Sequence, residues 1–154
     1  MYRIIVADDE EELRRAIIRK IQWEEIGFQV VGEAENGAEA LELVEKLEPD
    51  LLMTDIRMPF ISGVELARQI REVRPSTQIA FLSGYDDFSY AQQAIQYNII
   101  SYMLKPISMV ELTEELKKIK AKLDRIFLEF AARSQETADV NEFLMPLLLA
   151  GYQE

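Results

Sequence analysis

Residues 50–59 read DLLMTDIRMP, an apolar run followed by an acid and a proline. The apolar run that ends at Thr54 predicts a short buried strand, and the strand leads directly into the acid Asp55. Pro59 marks a loop over residues 56–62, and apolar residues at helical spacing follow over residues 64–73. The stretch therefore predicts one β-α unit, with an acid at the end of its strand.

The same unit recurs on both sides of this stretch. Strands are predicted at residues 2–7, 28–34, 50–54, 78–82 and 99–104, and helices at 11–21, 38–47, 64–73, 88–97 and from about 108 onward. Short strands that alternate with amphipathic helices indicate a parallel sheet covered by helices on both faces. We expect an α/β fold, a doubly wound five-stranded parallel sheet in the order 2-1-3-4-5.

Composition excludes several classes of function. The chain has 154 residues, a net charge of −11 and neither cysteine nor histidine. The acidity argues against direct binding to nucleic acid or to an anionic membrane, and the missing residue types exclude disulfides, thiolate or imidazole metal sites and a Ser-His-Asp triad. No apolar run approaches a membrane span and no signal peptide is recognisable, so we expect a cytoplasmic protein without membrane contact.

Polar residues follow four of the predicted strands directly. Asp8 and Asp9 follow the first strand, Asp55 the third, Ser83 the fourth and Lys105 the fifth. The carboxyl ends of parallel strands meet at one edge of a sheet, so we expect these side chains to converge. Three clustered carboxylates need a neutralising cation, and oxygen ligands alone favour Mg²⁺, Mn²⁺ or Ca²⁺ over zinc.

These residue types fit one kind of chemistry. A carboxylate such as Asp55 can attack a phosphoryl group and form an aspartyl phosphate. Transfer of that group needs positioning and charge neutralisation, which Mg²⁺, the Lys105 amine and the Ser83 hydroxyl would supply at separate phosphoryl oxygens. The sequence thus predicts phosphoryl transfer with Mg²⁺ as the cofactor.

Taken in order, these motifs resemble the receiver domain of bacterial two-component response regulators, with its flavodoxin-like three-layer fold. The resemblance covers about residues 2–125 and rests on Asp8-Asp9, DIRMP at residues 55–59, Ser83-Gly84 and Lys105-Pro106. The stretches LSGYDDF at residues 82–88 and YMLKP at residues 102–106 look most like regulators with an AraC-type helix-turn-helix output domain.

The resemblance implies how the acids act. Asp55 would be the phosphoacceptor, and its phosphoryl group would come from the phosphohistidine of a sensor histidine kinase. Asp9 and Asp55 would ligate Mg²⁺ together with the backbone carbonyl of Arg57, while Asp8 would act largely through water.

The resemblance also implies a response to phosphorylation. Lys105 would pair with the phosphoryl group, Ser83 would move toward it, and Tyr102 would swing inward as its aromatic partner. For Tyr102 the alternative is ordinary packing of an aromatic residue in a strand. The switch would control an output, which we expect to be transcription regulation.

The last helix predicts how the domains and partners are arranged. We expect a receiver domain at residues 1–125 and, at 126–154, a helical extension or linker toward a missing output domain, which alone would contact DNA. Apolar residues repeat in heptad steps at Leu112, Leu116, Ile119, Leu123, Ile126 and Phe130. A homodimer would form through helix 88–97, the fifth strand and the last helix, or through the extended last helix; alternatively, that helix folds back on its own domain.

Three other functions compete with the receiver. A Mg²⁺-dependent phosphohydrolase would need an acid two residues after its nucleophile, where Arg57 stands. A carrier of flavin mononucleotide would need a phosphate loop after the first strand, where residues 8–12 are all acidic. A receiver that works only as an interaction module would not need the acceptor. We expect that the protein is not an enzyme and that it catalyses only its own phosphorylation and dephosphorylation.

Overall fold

A computed structural model describes residues 1–84 and 88–144 of the chain, which divides into two compact units, Met1–Ile119 and Lys120–Glu154. Among the described residues, strands β1–β5 span Tyr2–Ala7, Phe28–Ala34, Leu51–Thr54, Gln78–Ser83 and Ser101–Leu104. Helices α1–α6 span Glu11–Lys20, Trp23–Ile26, Gly37–Leu47, Gly63–Val73, Phe88–Gln96 and Met109–Leu144. No helix in these ranges has the length and apolar character that a membrane span requires.

The strands form one parallel sheet in the order β2-β1-β3-β4-β5, which confirms the predicted topology. Its register sets up the site. Ala7 pairs with Thr54, so the residues after β1 and β3 leave the sheet side by side. Ser83 pairs with Leu104, so the residue after β5 emerges beside the end of β4.

The core lies mainly on β1, β3 and β4, the inner strands of the sheet. Every residue of β3 is buried, as expected for a parallel strand covered on both faces. Each large apolar side chain buried in this way contributes about 1.5–3 kcal/mol relative to exposure. The largest fully buried side chains include Ile4, Ile5, Leu51, Leu52, Met53, Ile79 and Phe81.

The short helix α2 was not predicted from the sequence. Its four residues are too few to show a helical period. Gly27, at φ 110°, ends the helix, and the Trp23 indole N–H donates to the carbonyl of Ile18 at 3.0 Å. The Trp23 ring meets the Phe28 ring edge-on at 6.3 Å between centroids, so α2 covers the first residue of β2.

The last helix begins as predicted. The helix follows residue 108, and the Ser108 hydroxyl accepts the Glu111 N–H at 3.1 Å, so Ser108 is its N-cap. The two compact units divide within this helix, between Ile119 and Lys120, and the domain boundary after residue 125 stays a prediction. Residues 145–154 of the predicted extension lie outside the described residues.

Gly63 holds the start of α4 against the backbone of the third strand's end. A Cβ atom at this position would lie 2.3 Å from the carbonyl oxygen of Asp55 and 2.8 Å from the Cα of Ile56. The Gly63 N–H donates to the Ile56 carbonyl at 2.6 Å. The loop that starts at Asp55 therefore returns to Asp55, and only glycine allows so close an approach.

We expect Gly63→Ala to lower the free energy of unfolding by about 1–3 kcal/mol, because the new methyl group collides with backbone that cannot move aside. Urea unfolding followed by circular dichroism measures the change. Gly84→Ala is the matched control, since a Cβ there meets nothing within 4 Å. Equal stability of the two variants would contradict the close approach.

Candidate functional site

Three acids converge at the carboxyl edge of the sheet. One carboxylate oxygen from each of Asp8, Asp9 and Asp55 lies within 4.8 Å of the other two. Asp8 and Asp55 are only 2% and 6% exposed, whereas Asp9 is exposed. The structure therefore brings together the acids predicted from the strand ends, and their all-oxygen donor set suits a hard cation such as Mg²⁺.

The Lys105 ammonium lies between two of these carboxylates. Its Nζ is 3.0 Å from Oδ2 of Asp8 and 3.1 Å from Oδ2 of Asp55, and Oε1 of Glu10 lies 3.4 Å away. The sequence predicted that this amine lies at the same edge of the sheet as the acids. In the structure it bridges the acids of β1 and β3 directly.

Backbone donors fix the other carboxylate oxygens. The Ile56 N–H donates to Oδ1 of Asp55 at 2.7 Å, and the Glu10 N–H donates to Oδ1 of Asp8 at 2.9 Å. Each buried acid thus has one oxygen held by backbone and the other by Lys105. Such preorganised groups need little rearrangement when a ligand arrives.

Burial dominates the electrostatics of the site. It raises the pKa of Asp8 to about 6; the charge of Asp55 also raises it, while the Glu10 N–H and Lys105 lower it. Burial likewise raises the pKa of Asp55, against the opposing effect of Lys105. For Lys105, burial alone would lower the pKa, but the two carboxylates outweigh it and the pKa is raised. Burial therefore makes the ionised forms of Asp8 and Asp55 unfavourable, and a bound cation would stabilise them.

The other predicted site residues lie on β4 and β5 or in the loop after β3. Ser83 is fully buried, and its carbonyl accepts the Lys105 N–H at 2.7 Å. Tyr102 is half-buried, with its ring edge-on to the Phe81 ring at 6.2 Å between centroids. Arg57 is exposed in the loop after Asp55. The switch roles of Ser83 and Tyr102 and the metal contact of the Arg57 carbonyl stay predictions, and residues 85–87 of the LSGYDDF stretch lie outside the described residues.

Sequence reasoning missed Arg14. Its side chain is buried, its Nη1 donates to the Asp8 carbonyl at 2.7 Å, and its Nε donates to Oε1 of Glu33 at 2.9 Å. Arg14 therefore ties the acidic turn to β2. An arginine in an amphipathic helix usually indicates a solvated face, and no spacing in the sequence marks this one as different.

A cavity of about 470 Å³ opens beside the bridging amine. Its wall is largely apolar and gives the edge of the sheet a recess next to the acids. The lining residues are Glu10, Leu13, Gly84, Lys105, Pro106 and Ile107.

Known proteins with similar sequences are regulators. A profile of the response regulator receiver domain matches residues 4–117. The uncharacterized transcriptional regulatory protein YesN of Bacillus subtilis (strain 168) is 38% identical over 81% of this chain and 34% of its own length. The transcriptional regulatory protein HptR of Staphylococcus aureus (strain NCTC 8325 / PS 47) is 32% identical over 100% of this chain and 59% of its own. The chain thus spans less than two thirds of these relatives.

Solved structures similar to this chain also belong to response regulators. The REC domain of AraT, a response regulator from Geobacillus stearothermophilus, superposes with a TM-score of 0.76 at 40% identity, over 80% of this chain and 96% of its own. A two component transcriptional regulator AraC from Clostridium phytofermentans ISDg gives a TM-score of 0.74 at 34% identity, over 81% of this chain and 97% of its own. Both are similar to this chain over about four fifths of its length.

We expect Asp8→Asn to raise the free energy of unfolding near neutral pH, without divalent cations, by about 1–3 kcal/mol. The folded-state pKa of Asp8 lies above its ordinary value, so the ionised form is the destabilising one above that pKa. Asparagine keeps an oxygen for the Glu10 N–H and removes the buried charge. Urea unfolding without Mg²⁺ measures this gain in stability. The same experiment with excess Mg²⁺ should show that the metal stabilises Asp8→Asn less than it stabilises the wild type.

Glu12→Gln is the control for this experiment, because Glu12 is an exposed acid in α1, the helix that follows the turn of Asp8. It should change neither quantity by more than about 0.5 kcal/mol. A fall in the cation-free stability of Asp8→Asn would mean that the contact with Lys105 outweighs the cost of burial.

Proposed function

Since this chain belongs to the family of response regulator receiver domains, we propose that Asp55 accepts a phosphoryl group from a sensor histidine kinase. The family membership confirms the resemblance read from the sequence, and receiver domains take phosphoryl groups from histidine kinases. One observation carries the choice of Asp55: it is the acid at the end of the central strand β3, 3.1 Å from the Lys105 ammonium and beside two further acids.

In this proposal an Asp55 carboxylate oxygen attacks the phosphorus of a phosphohistidine. A phosphorus–oxygen bond forms, the phosphorus–nitrogen bond breaks, and the leaving imidazole of the kinase takes up a proton. Lys105 is placed to stabilise the negative charge on the transferred group, while the Ile56 N–H keeps the carboxylate oriented. The chain needs no general base of its own, because an ionised carboxylate is the nucleophile.

We assign the acid cluster to Mg²⁺. Asp8, Asp9 and Asp55, with the carbonyl of Arg57, are the residues that would hold the ion, and their oxygen donors suit it. When bound, Mg²⁺ neutralises charge on the phosphoryl oxygens and on the clustered acids. Catalysis would be limited to the phosphorylation and dephosphorylation of Asp55. A phosphohydrolase is disfavoured, because Arg57 occupies the position of its general acid.

Ser83 and Tyr102 are our candidates for transmitting the signal. The Lys105 N–H to Ser83 carbonyl bond joins the ends of β4 and β5. Phe81 and Tyr102 are register partners on those strands, and their rings are in contact. The strands that carry Ser83 and Tyr102 are therefore joined at two places, the Ser83–Lys105 hydrogen bond and the Phe81–Tyr102 ring contact. A movement of the Ser83 hydroxyl toward a phosphoryl group would be transmitted to Tyr102 through them.

We propose that the output is control of transcription, because relatives of this chain are named transcriptional regulators. The net charge of −11 makes the receiver itself a poor ligand for DNA, so DNA contact would belong to an output domain. The absence of cysteine fits a reducing, cytoplasmic compartment.

The phosphorylated form would be a homodimer. One candidate surface lies on α5, β5 and the start of α6, where Ile95, Leu104 and Val110 are exposed. The other lies on the later part of α6, where Leu128 and Phe130 are exposed. Both carry apolar side chains that a partner copy would remove from water.

Acetyl phosphate with Mg²⁺ should add one phosphoryl group to the wild-type chain, detected by intact mass. Asp55→Asn should abolish the addition, because it removes the nucleophile. Lys105→Met should slow it by roughly 10²-fold, because one charge-stabilising donor is lost. Glu12→Gln is the control and should behave as wild type. Labelling that persists in Asp55→Asn would refute the assignment.

Self-association should separate the two dimer surfaces. Val110→Asp and Phe130→Asp each place a charge on one surface, and Val73→Gln is a control at an exposed apolar position elsewhere. Light scattering after chromatography, with the chain loaded with beryllofluoride, gives the oligomeric state. We expect one of the two charged variants to weaken the dimer by roughly tenfold or more. Unchanged dimers in both would exclude both surfaces.

A further inference from the structure

Phe60 combines two unfavourable features in one residue. It lies in the loop after Asp55, and the residue is 85% exposed, the largest exposed fraction among the large apolar residues of the described part of the chain. Its φ is 71°, in the left-handed region. A single exposed apolar residue is ordinary, but a bulky aromatic residue in left-handed backbone is a genuine outlier.

The other non-glycine residues with positive φ in the described part of the chain have simpler explanations. Glu48 ends helix α3, and Asn98 is a residue type that tolerates this conformation. Phe60 neither ends a helix nor belongs to such a type. Glycine or asparagine would adopt this left-handed backbone conformation with less strain. The phenylalanine side chain is therefore present against the conformational preference of its own position.

The loop around Phe60 is well anchored. The Pro59 carbonyl accepts the Ile61 N–H at 2.9 Å and the Gly37 N–H at 3.4 Å. Met58 and Ile61 pack against the hydrophobic core. Phe60 is thus flanked by residues that hydrogen bonds or core contacts hold in place, while its own ring, like Arg57 and Pro59, is exposed to solvent.

Both ends of this loop lie at the proposed phosphoacceptor. The loop starts at Asp55, and Gly63 at its other end contacts the Asp55 carbonyl so closely that no side chain fits. Asp55 itself is only 6% exposed, so a donor must press its phosphohistidine into the edge of the sheet. The kinase surface that does so has to cover the loops around Asp55, including the one that carries Phe60.

We propose that Phe60 is an aromatic anchor that inserts into an apolar recess of the histidine kinase during phosphoryl transfer. The proposal rests on Asp55 being the phosphoacceptor and adds a residue that determines which donor is accepted. Aromatic side chains buried at the centre of an interface often carry a large part of its affinity. A small phosphodonor has no surface to meet the ring, so Phe60 affects only the protein donor.

The test compares a protein donor with a small one. The protein donor is an autophosphorylated histidine-kinase core, chosen from a purified panel as the one that transfers fastest to the wild-type chain. Phe60→Ala should raise the KM for the receiver by roughly tenfold with little change in kcat. Its labelling by acetyl phosphate should equal that of wild type. Phe60→Tyr should restore transfer, and Val73→Ala, at an exposed apolar position on α4, should leave it unchanged.

Each other outcome has a distinct meaning. Unchanged transfer to Phe60→Ala overturns the proposal, as does an equal loss with both donors, which would make Phe60 part of the site itself. A change only in self-association of the beryllofluoride-loaded chain also overturns it, because the occupant would then be a second copy. Failure of the proposed function is separate: acetyl phosphate would then fail to label the wild-type chain or would still label Asp55→Asn.

Thermal unfolding gives an independent readout. Phe60→Gly should raise Tm by roughly 2–4 °C, because glycine relieves the left-handed backbone, while it loses transfer from the kinase. A higher Tm together with slower transfer would show that the ring serves binding at the expense of stability. A lower Tm would show that the ring supports the fold, and the proposal would be overturned.

Discussion

The bridge from the Lys105 ammonium to Asp8 and Asp55 is the contact on which the rest of the structure depends. Two buried carboxylates beside a third repel one another, and burial makes their charges more costly still. One ammonium at 3.0 and 3.1 Å offsets part of that cost. The protein is therefore built around a local excess of negative charge, which one ammonium offsets only in part.

The surrounding structure holds these charges in place. The pairing of Ala7 with Thr54 keeps the ends of β1 and β3 level, so the acids cannot separate. Arg14 holds the carbonyl of Asp8, and Gly63 lies against the carbonyl of Asp55. Because their backbone is held in this way, the two carboxylates cannot move apart to relieve their repulsion. A ligand of positive charge would therefore lower the electrostatic energy of the site.

Much of this arrangement could be predicted from the sequence, because parallel strands covered on both faces need continuous apolar runs. Such runs, ended by acids, a serine or a lysine, gave the strand order and placed the polar residues at one edge. The start of the last helix near residue 108 could also be predicted from the sequence. These features depend on neighbours in the chain, or on a topology that few alternatives satisfy.

The features that escaped prediction have no periodic pattern or motif in the sequence that marks them. Helix α2 is too short to show a period, and its Trp23 is held by a carbonyl of the preceding helix. Arg14 is buried only because the carbonyl of Asp8 and a carboxylate of β2 meet it. The backbone of Phe60 runs against the preference of its own side chain. Wherever the local preference of a residue is overridden in this way, the sequence alone gives no warning.

Trp23 has a practical consequence for work in solution. It is the only tryptophan of the chain, and it packs on the first residue of β2, whereas the acids follow the last residues of β1 and β3. A six-residue strand separates those two edges by about 20 Å. Trp23 is therefore an intrinsic fluorescence probe of the edge of the sheet opposite the acids. At that distance, direct quenching by an ion bound among the acids is negligible. Any emission change on adding such an ion would measure a rearrangement carried through the whole sheet.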